Sequence, residues 1–276
     1  MVLSVNTNVG AQVALQNLNA TNAQLAITQN RINTGKSVAS AKDNGAIWAI
    51  AQGQRADIGA LNAVKQSLDR GVAAVDVALA AGETVSDLLL QMKEKALAAT
   101  DASLKTAARA ALNEDFESLR DQIASVAANA EFNGVNLLKT GATGFSALAN
   151  AAGTSTLTVQ PEILALGSTN VSVAATQSID TLTKAASALS AVDASIDNVS
   201  GALARLGTKS KALSTHLTFV GKLSDALEAG VGNLVDADLA KESAKLQALQ
   251  TKQQLGAQAL SIANQTPQLV LSLFRS

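Results

Sequence analysis

No proline occurs between Met1 and Gln160, and from about Gly45 to Ala99 the sequence carries one unbroken helical pattern. Proline removes a backbone donor and breaks helix interiors, so its absence permits very long helices. Leu61, Val64, Leu68, Val72, Val75 and Leu79 mark an apolar stripe along this stretch. The step from Leu68 to Val72 reads as a stutter that keeps the stripe on one face. At 1.5 Å per residue, some 55 residues span roughly 80 Å, longer than any ordinary globular helix.

The remaining pattern repeats this theme. A first helix is predicted over about Asn6 to Thr34, where Leu15, Leu18, Asn22, Leu25, Gln29 and Ile32 are spaced 3, 4, 3, 4, 3. That is a heptad seam, and polar residues within it lower stability while fixing register. Gly35 is placed to cap this helix, and a polar link follows from Lys36 to Asn44. Thr100–Thr106 turns the chain back into a second seam of Leu112, Phe116, Leu119, Ile123 and Val126. Helix returns from about Asp180, with Leu189, Val192, Ile196, Val199, Leu203 and Leu206 at the same spacing. A last helix is predicted over about Asp236 to Asn264, its seam formed by Leu239, Leu246, Leu249, Gln253, Gly256 and Leu260. Pro267 is expected to end it, leaving Leu269–Phe274 as an apolar tail.

Between these helices the character changes. Asn133-Gly134 is a strong hairpin-turn signal. Residues 140–179 hold a single charged side chain, Glu162, among many Ser, Thr, Gly and Ala. Thr156–Val159 and Asn170–Val173 alternate polar and apolar residues and read as short strands. The fold class is therefore mostly α: long antiparallel helical rods, a coiled-coil-like bundle, with a small β-hairpin-containing insert. The chain divides into 1–42 and 233–276 as two parts of one inner domain, 43–139 and 180–232 as rods, and 140–179 as the insert. Aromatics make up only 2% of residues while Ala dominates the apolar 47%, which suits helices lying closely side by side.

Few alternatives survive the chemistry. A net charge of −1 gives no electrostatic footprint for nucleic acid or an anionic membrane. Without Cys there is no disulfide framework or thiolate metal site. The lone His216 has no clustered carboxylate, so a metal site or general base has no support. Gly35-Lys36-Ser37 lacks the earlier Gly of a phosphate loop, since that position is Asn30. Glu114-Asp115 and Asp236/Asp238 read as helix-terminal or exposed charges. The first ten residues lack the basic and apolar regions of a secretory signal, and no membrane span appears. No catalytic residue, metal or cofactor is indicated. The first and last helices are short of partners within their own halves, and pairing them brings the chain ends together. Burying five large side chains does not offset the ordering of a first helix of this length. The ends are thus expected to be protease-sensitive in the free chain, before about Lys42 and after about Asn233.

Both ends also carry recognisable motifs. Val5-Asn6-Thr7-Asn8, Arg31-Ile32-Asn33-Thr34-Gly35-Lys36 with Ser40-Ala41-Lys42-Asp43-Asn44, and Phe132-Asn133-Gly134 mark the N-terminal half. Ala263-Asn264-Gln265-Thr266-Pro267-Gln268 and Leu271-Ser272-Leu273-Phe274-Arg275 mark the C-terminus. In these segments the chain resembles the bacterial flagellin family, over nearly everything outside residues 140–179.

The resemblance implies a structural subunit of the extracellular flagellar filament, polymerising with copies of itself for motility. It also implies type III export, contacts with hook-junction and cap proteins, and an export chaperone on the C-terminal helix. The hook–filament junction protein, which is similar at both ends, is the alternative. With so small an insert, the large outer domains of longer flagellins are expected to be absent. Two departures stand out. The sequence ends Arg275-Ser276, where flagellins commonly stop at the Arg. Within Gln91-Met92-Lys93-Glu94-Lys95-Ala96-Leu97, Gln91 and Lys95 replace an Arg and a Leu of the stretch recognised by the innate flagellin receptor. Losing a bidentate cation and an apolar anchor implies weak recognition.

Overall fold

The computed structural model describes residues 7–273, with side chains as far as Gln265. The elements in chain order are α1 (Val9–Thr34), α2 (Gly45–Ala99), α3 (Thr106–Asn129), β1 (Glu131–Phe132), β2 (Val135–Asn136), β3 (Phe145–Leu148), β4 (Thr156–Val159), α4 (Leu182–Val235) and α5 (Leu239–Leu273). They fall into two compact units. One takes the chain up to Ala56 and again from Ala226; the other takes Asp57–Asp225.

Several helix and strand boundaries have identifiable causes. Asn44 accepts from the amide of Ile47 at 3.1 Å and so caps the start of α2. Gly35 ends α1 in the left-handed region at φ 68°, a conformation that suits glycine. Asn133 and Gly134 both have positive φ, 49° and 82°, giving the two-residue primed turn that joins β1 to β2. At the end of α2, buried Arg109 donates to the carbonyls of Ala99 (3.1 Å) and Asp101 (2.8 Å). Buried Asn136 does the same for α3, donating to Ala127 and Ala128 and accepting from the amides of Leu138 and Lys139. Neither residue stood out in the sequence, because a cap made from outside its own helix leaves no local spacing.

The core of the 57–225 unit corrects the stripe expected for α2. Beside buried Ala74 and Leu88, its central buried seam consists of Leu61, Val64, Leu68, Gly71, Val75, Ala78, Gly82, Val85, Leu89, Met92, Ala96 and Ala99. These alternate in steps of three and four without a break, so no stutter occurs at Val72, which is only half-buried. The seam runs through glycines, which a search for large apolar side chains passes over. A Cβ on Gly71 would lie 2.9 Å from the Phe145 ring, and one on Gly82 would lie 2.5 Å from Leu203. Large side chains from facing elements fill the space that glycine leaves. Over the first half of α4 the buried face is likewise mostly small: Ala185, Ala188, Val192, Ser195, Val199, Ala202 and Leu206. Predicted Ile196 and Leu203 are half-buried beside it. On α3, Phe116 and Ile123 are fully buried, whereas Leu112 and Leu119 are half-buried.

The insert differs from expectation in one strand. Thr156–Val159 is a strand, and its antiparallel partner is Phe145–Leu148, with Phe145 opposite Val159. Asn170–Val173 is not a strand. Val171 and Val173 are buried and Ser172 is exposed, so the alternation is real. The segment lies against α4 instead of a sheet: the Ser172 amide donates to Ser195 Oγ at 2.9 Å, and its hydroxyl donates to the Ala191 carbonyl at 2.9 Å. Alternation reports a half-buried extended backbone, whatever covers it.

A third correction concerns Pro267. Helix α5 does not stop there but continues to Leu273. The expected apolar tail is therefore helical as far as Leu273, while Phe274, Arg275 and Ser276 lie outside the described residues, as do Val5 and Asn6 of the opening motif.

Candidate functional site

Helices α1 and α5 pair in the unit that holds both chain ends. The pair is antiparallel, with Asn8 bonded to Ala263, Asn22 to Gln253 and Arg31 to Glu242. Its foot is fixed by backbone bonds. The Ser37 amide donates to the Val235 carbonyl at 2.7 Å, and the Ala237 amide donates to Gly35 at 2.9 Å. Asp238 then caps α5 through the amides of Ala240 and Lys241. The short bridge between residues 35–38 and 235–237 thus joins the connections that follow α1 and precede α5.

The face that α1 turns to α5 is one position away from the predicted seam. Ala11, Ala14, Leu18, Thr21, Leu25, Thr28 and Arg31 are the covered residues, with Ile32 at the edge. Leu18, Leu25 and Ile32 of the predicted set lie on this side, but Leu15, Asn22 and Gln29 are exposed. The offset arises because Ala11, Ala14, Thr21 and Thr28, not large apolar side chains, occupy much of the covered face. On α5 the covered residues are Glu242, Leu246, Leu249, Gln253, Gly256, Leu260 and Ala263. Of the predicted set only Leu239 is exposed, and Glu242 takes a place on the covered face instead. Gly256 lets the helices close up, since a Cβ there would meet Leu18 Cδ1 at 3.3 Å.

Little of this pair is fully buried. Thr28 is the one buried residue of α1, and on α5 only Glu242 and Leu249 join it among the described residues. Glu242 accepts from Arg31 Nη1 at 3.0 Å through Oε1, while its buried Oε2 has no partner. Away from the seam, Val9, Val13, Leu15 and Ile27 on α1, and Leu239, Leu255 and Ile262 on α5, are exposed large apolar residues. Ile262 is 67% exposed. Single exposed apolar residues are ordinary, but a helix pair apolar on several faces is built for further neighbours.

Elsewhere, Gln91 is exposed on α2, and Lys95 bonds Asp115 of α3 at 2.8 Å. That hydrogen bond and the Asp115 charge hold the Lys95 ammonium above its ordinary pKa. His216 bonds the Ala149 carbonyl at 2.8 Å and stacks at a tilt on Phe219. Among the described residues no group of three or more His, Cys, Asp or Glu side chains could hold a metal ion, and no helix is long and apolar enough to cross a membrane.

Heptad-patterned helices, a terminal pair with apolar residues on its outer faces and a small hairpin insert define a self-assembling helical subunit. Family models agree: the bacterial flagellin N-terminal helical region matches residues 5–143, and the C-terminal helical region matches 189–274. Flagellin FljM of Caulobacter vibrioides is 60% identical over 272 residues, covering 99% of this chain and 98% of that protein. The crystal structure of Bacillus cereus flagellin superposes with a TM-score of 0.50 at 19% identity, over 56% of this chain and 88% of that one. A chain from Vibrio parahaemolyticus assigned as a flagellar hook-associated protein gives 0.59 at 14% identity, over 70% and 100%. At those identities both speak to the fold alone. The chain belongs to the bacterial flagellins. It is a structural subunit that is exported and assembles with copies of itself into the extracellular flagellar filament. The junction-protein alternative is not favoured, because the identity to flagellins runs along the whole chain.

Proposed function

We propose that the subunit polymerises through the outer faces of its α1–α5 pair, with Leu15, Gln29, Leu239 and Leu255 turned toward neighbouring copies. The supporting observation is that α1 covers a single residue fully, Thr28, although its partner helix is already in place. Apolar area left open in the single chain is what association removes from water. Salt-induced polymerisation of the purified chain tests the proposal. Leu15→Ser and Leu255→Ser should abolish or shorten filaments without changing the melting of the 57–225 unit. Normal filaments from both variants would refute the reading.

The family resemblance supports hook-junction and cap proteins as the partners at the filament ends, and an export chaperone covering α5 before assembly. Ends that are protease-sensitive in the monomer follow from the same sparse burial. Gln91 and Lys95 give weak activation of the innate flagellin receptor, since Lys95 is already engaged by Asp115. Reporter-cell activation at low nanomolar protein would contradict this. The chain is read as non-catalytic, its lone histidine serving to hold the β3–β4 loop.

A further inference from the structure

Helix α5 runs through Pro267 to Leu273. Proline has no amide hydrogen, so the helix cannot supply the usual i+4 donor to the carbonyl of Ala263. Buried or half-buried carbonyls left without a donor are costly, and a partner from outside the helix is the ordinary remedy. That carbonyl accepts a hydrogen bond of 2.7 Å from Nδ2 of Asn8. The same side chain uses its Oδ1 to accept from the amide of Ala11 at 3.0 Å, which caps the start of α1. One amide therefore serves two helix irregularities, the open amides that begin α1 and the carbonyl that proline frees in α5.

We infer that Asn8 is a clip that locks the two ends of the chain in register, and that Pro267 creates its docking point. The chemistry is selective for asparagine. Aspartate caps a helix equally well but has no donor for Ala263, and it sets a negative charge against the carbonyl oxygen. Serine also caps but is too short to reach across. Glutamine carries both groups on a longer arm that no longer suits the cap. The clip stands next to exposed Val9 and Ile262, so it positions the outer apolar faces of both helices. It acts by placement and makes no claim on a ligand.

Polymerisation of four chains tests the clip: wild type, Asn8→Asp, Pro267→Ala and the double variant. Alanine restores the helix's own donor at position 267, so Asn8 should become dispensable there. In the wild-type background, Asn8→Asp should raise the critical concentration about five-fold, the size of one lost hydrogen bond. In the Pro267→Ala background the same change should have little effect. Equal effects in both backgrounds, or no effect in either, would overturn the inference. If the Pro267→Ala chains do not polymerise, hydrogen exchange of the Asn8 side-chain amide in wild-type filaments decides. Protection over hours supports the clip, and exchange at the free-amide rate overturns it.

Discussion

Gln253 donates its side-chain amide to Oδ1 of Asn22 across 2.8 Å, joining α5 to α1 over 231 residues of sequence. Both residues lie at the rim of the pair, where a slip of one helical turn, about 5.4 Å, would separate them. Their contribution is thus to register more than to burial.

Replacing either residue by alanine should weaken the filament by roughly 0.5–1 kcal/mol per subunit, with the two effects coupled because one bond is shared. Thermal depolymerisation of both single variants and the double gives the coupling. Simple additivity would mean the bond has no role.

The Arg31–Glu242 pair should behave more sharply. The Glu242 side chain is 11% exposed and Arg31 is 33% exposed, so removing the arginine strands a carboxylate that is largely desolvated. Arg31→Met should cost about 2–3 kcal/mol, below the fully buried range because Arg31 itself is partly solvated. Adding Glu242→Leu should recover most of it. Denaturant melting of assembled filaments reads both, and a failure of the second change to rescue the first would count against the electrostatic account.

Two glycines of α2 should respond in opposite directions to alanine. Gly59 has nothing within 4 Å of its virtual Cβ, so Gly59→Ala should stabilise by about 0.5–1 kcal/mol through helix propensity. At Gly82 the added methyl would lie 2.5 Å from Leu203 and 3.3 Å from Leu164. Overpacking of about 1–3 kcal/mol should outweigh the propensity gain. Leu203→Ala in the same chain should reverse the sign, as measured by the monomer's melting temperature.

Acid should loosen the link between α1 and α2 through Asp43. Its Oδ2 accepts from the amides of Ala39 (3.1 Å) and Ser40 (2.9 Å) and from the Ser40 hydroxyl (3.1 Å). The Ser40 bonds, backbone first, hold this carboxyl below its ordinary range. A depressed folded-state value means the stabilisation is complete above the ordinary carboxylate pKa and is lost as pH falls through the lowered one. Amide exchange at Ala39 and Ser40, corrected for its intrinsic rate, should rise as pH falls below the ordinary carboxylate range of about 4. Asp43→Asn should remove that step.

What the sequence conveyed depended on which side chains carried the signal. Helix α2 was legible to its ends because a long proline-free run, a capping Asn44 and the Thr100 turn all agree with one another. Asn133-Gly134 was legible because only a few residues tolerate two successive positive φ values. The helix faces were less so. Gly71, Ala78 and Gly82 carry the α2 seam, and Ala11, Ala14 and Thr28 the α1 seam, yet none is hydrophobic enough to mark a stripe. Arg109 and Asn136 were silent for a different reason, since each bonds the end of a helix it does not belong to, and the bond from Asn8 likewise crosses to another helix, at Ala263, 255 positions away. Pro267 misled because a freed carbonyl stops a helix only when nothing else supplies the donor.

The pairing of α1 with α5 also bears on how incomplete chains are handled. Asn8 and Ala263 are 255 positions apart, so the partner of the first helix is made last. A product truncated anywhere before Leu239 carries an α1 with nothing to fold against, and one truncated before Ala263 lacks the final lock. Such fragments cannot present a finished joining surface, however sound their middle portion. On the proposed mode of assembly, competence to enter the polymer is withheld until synthesis has carried the chain past Ala263.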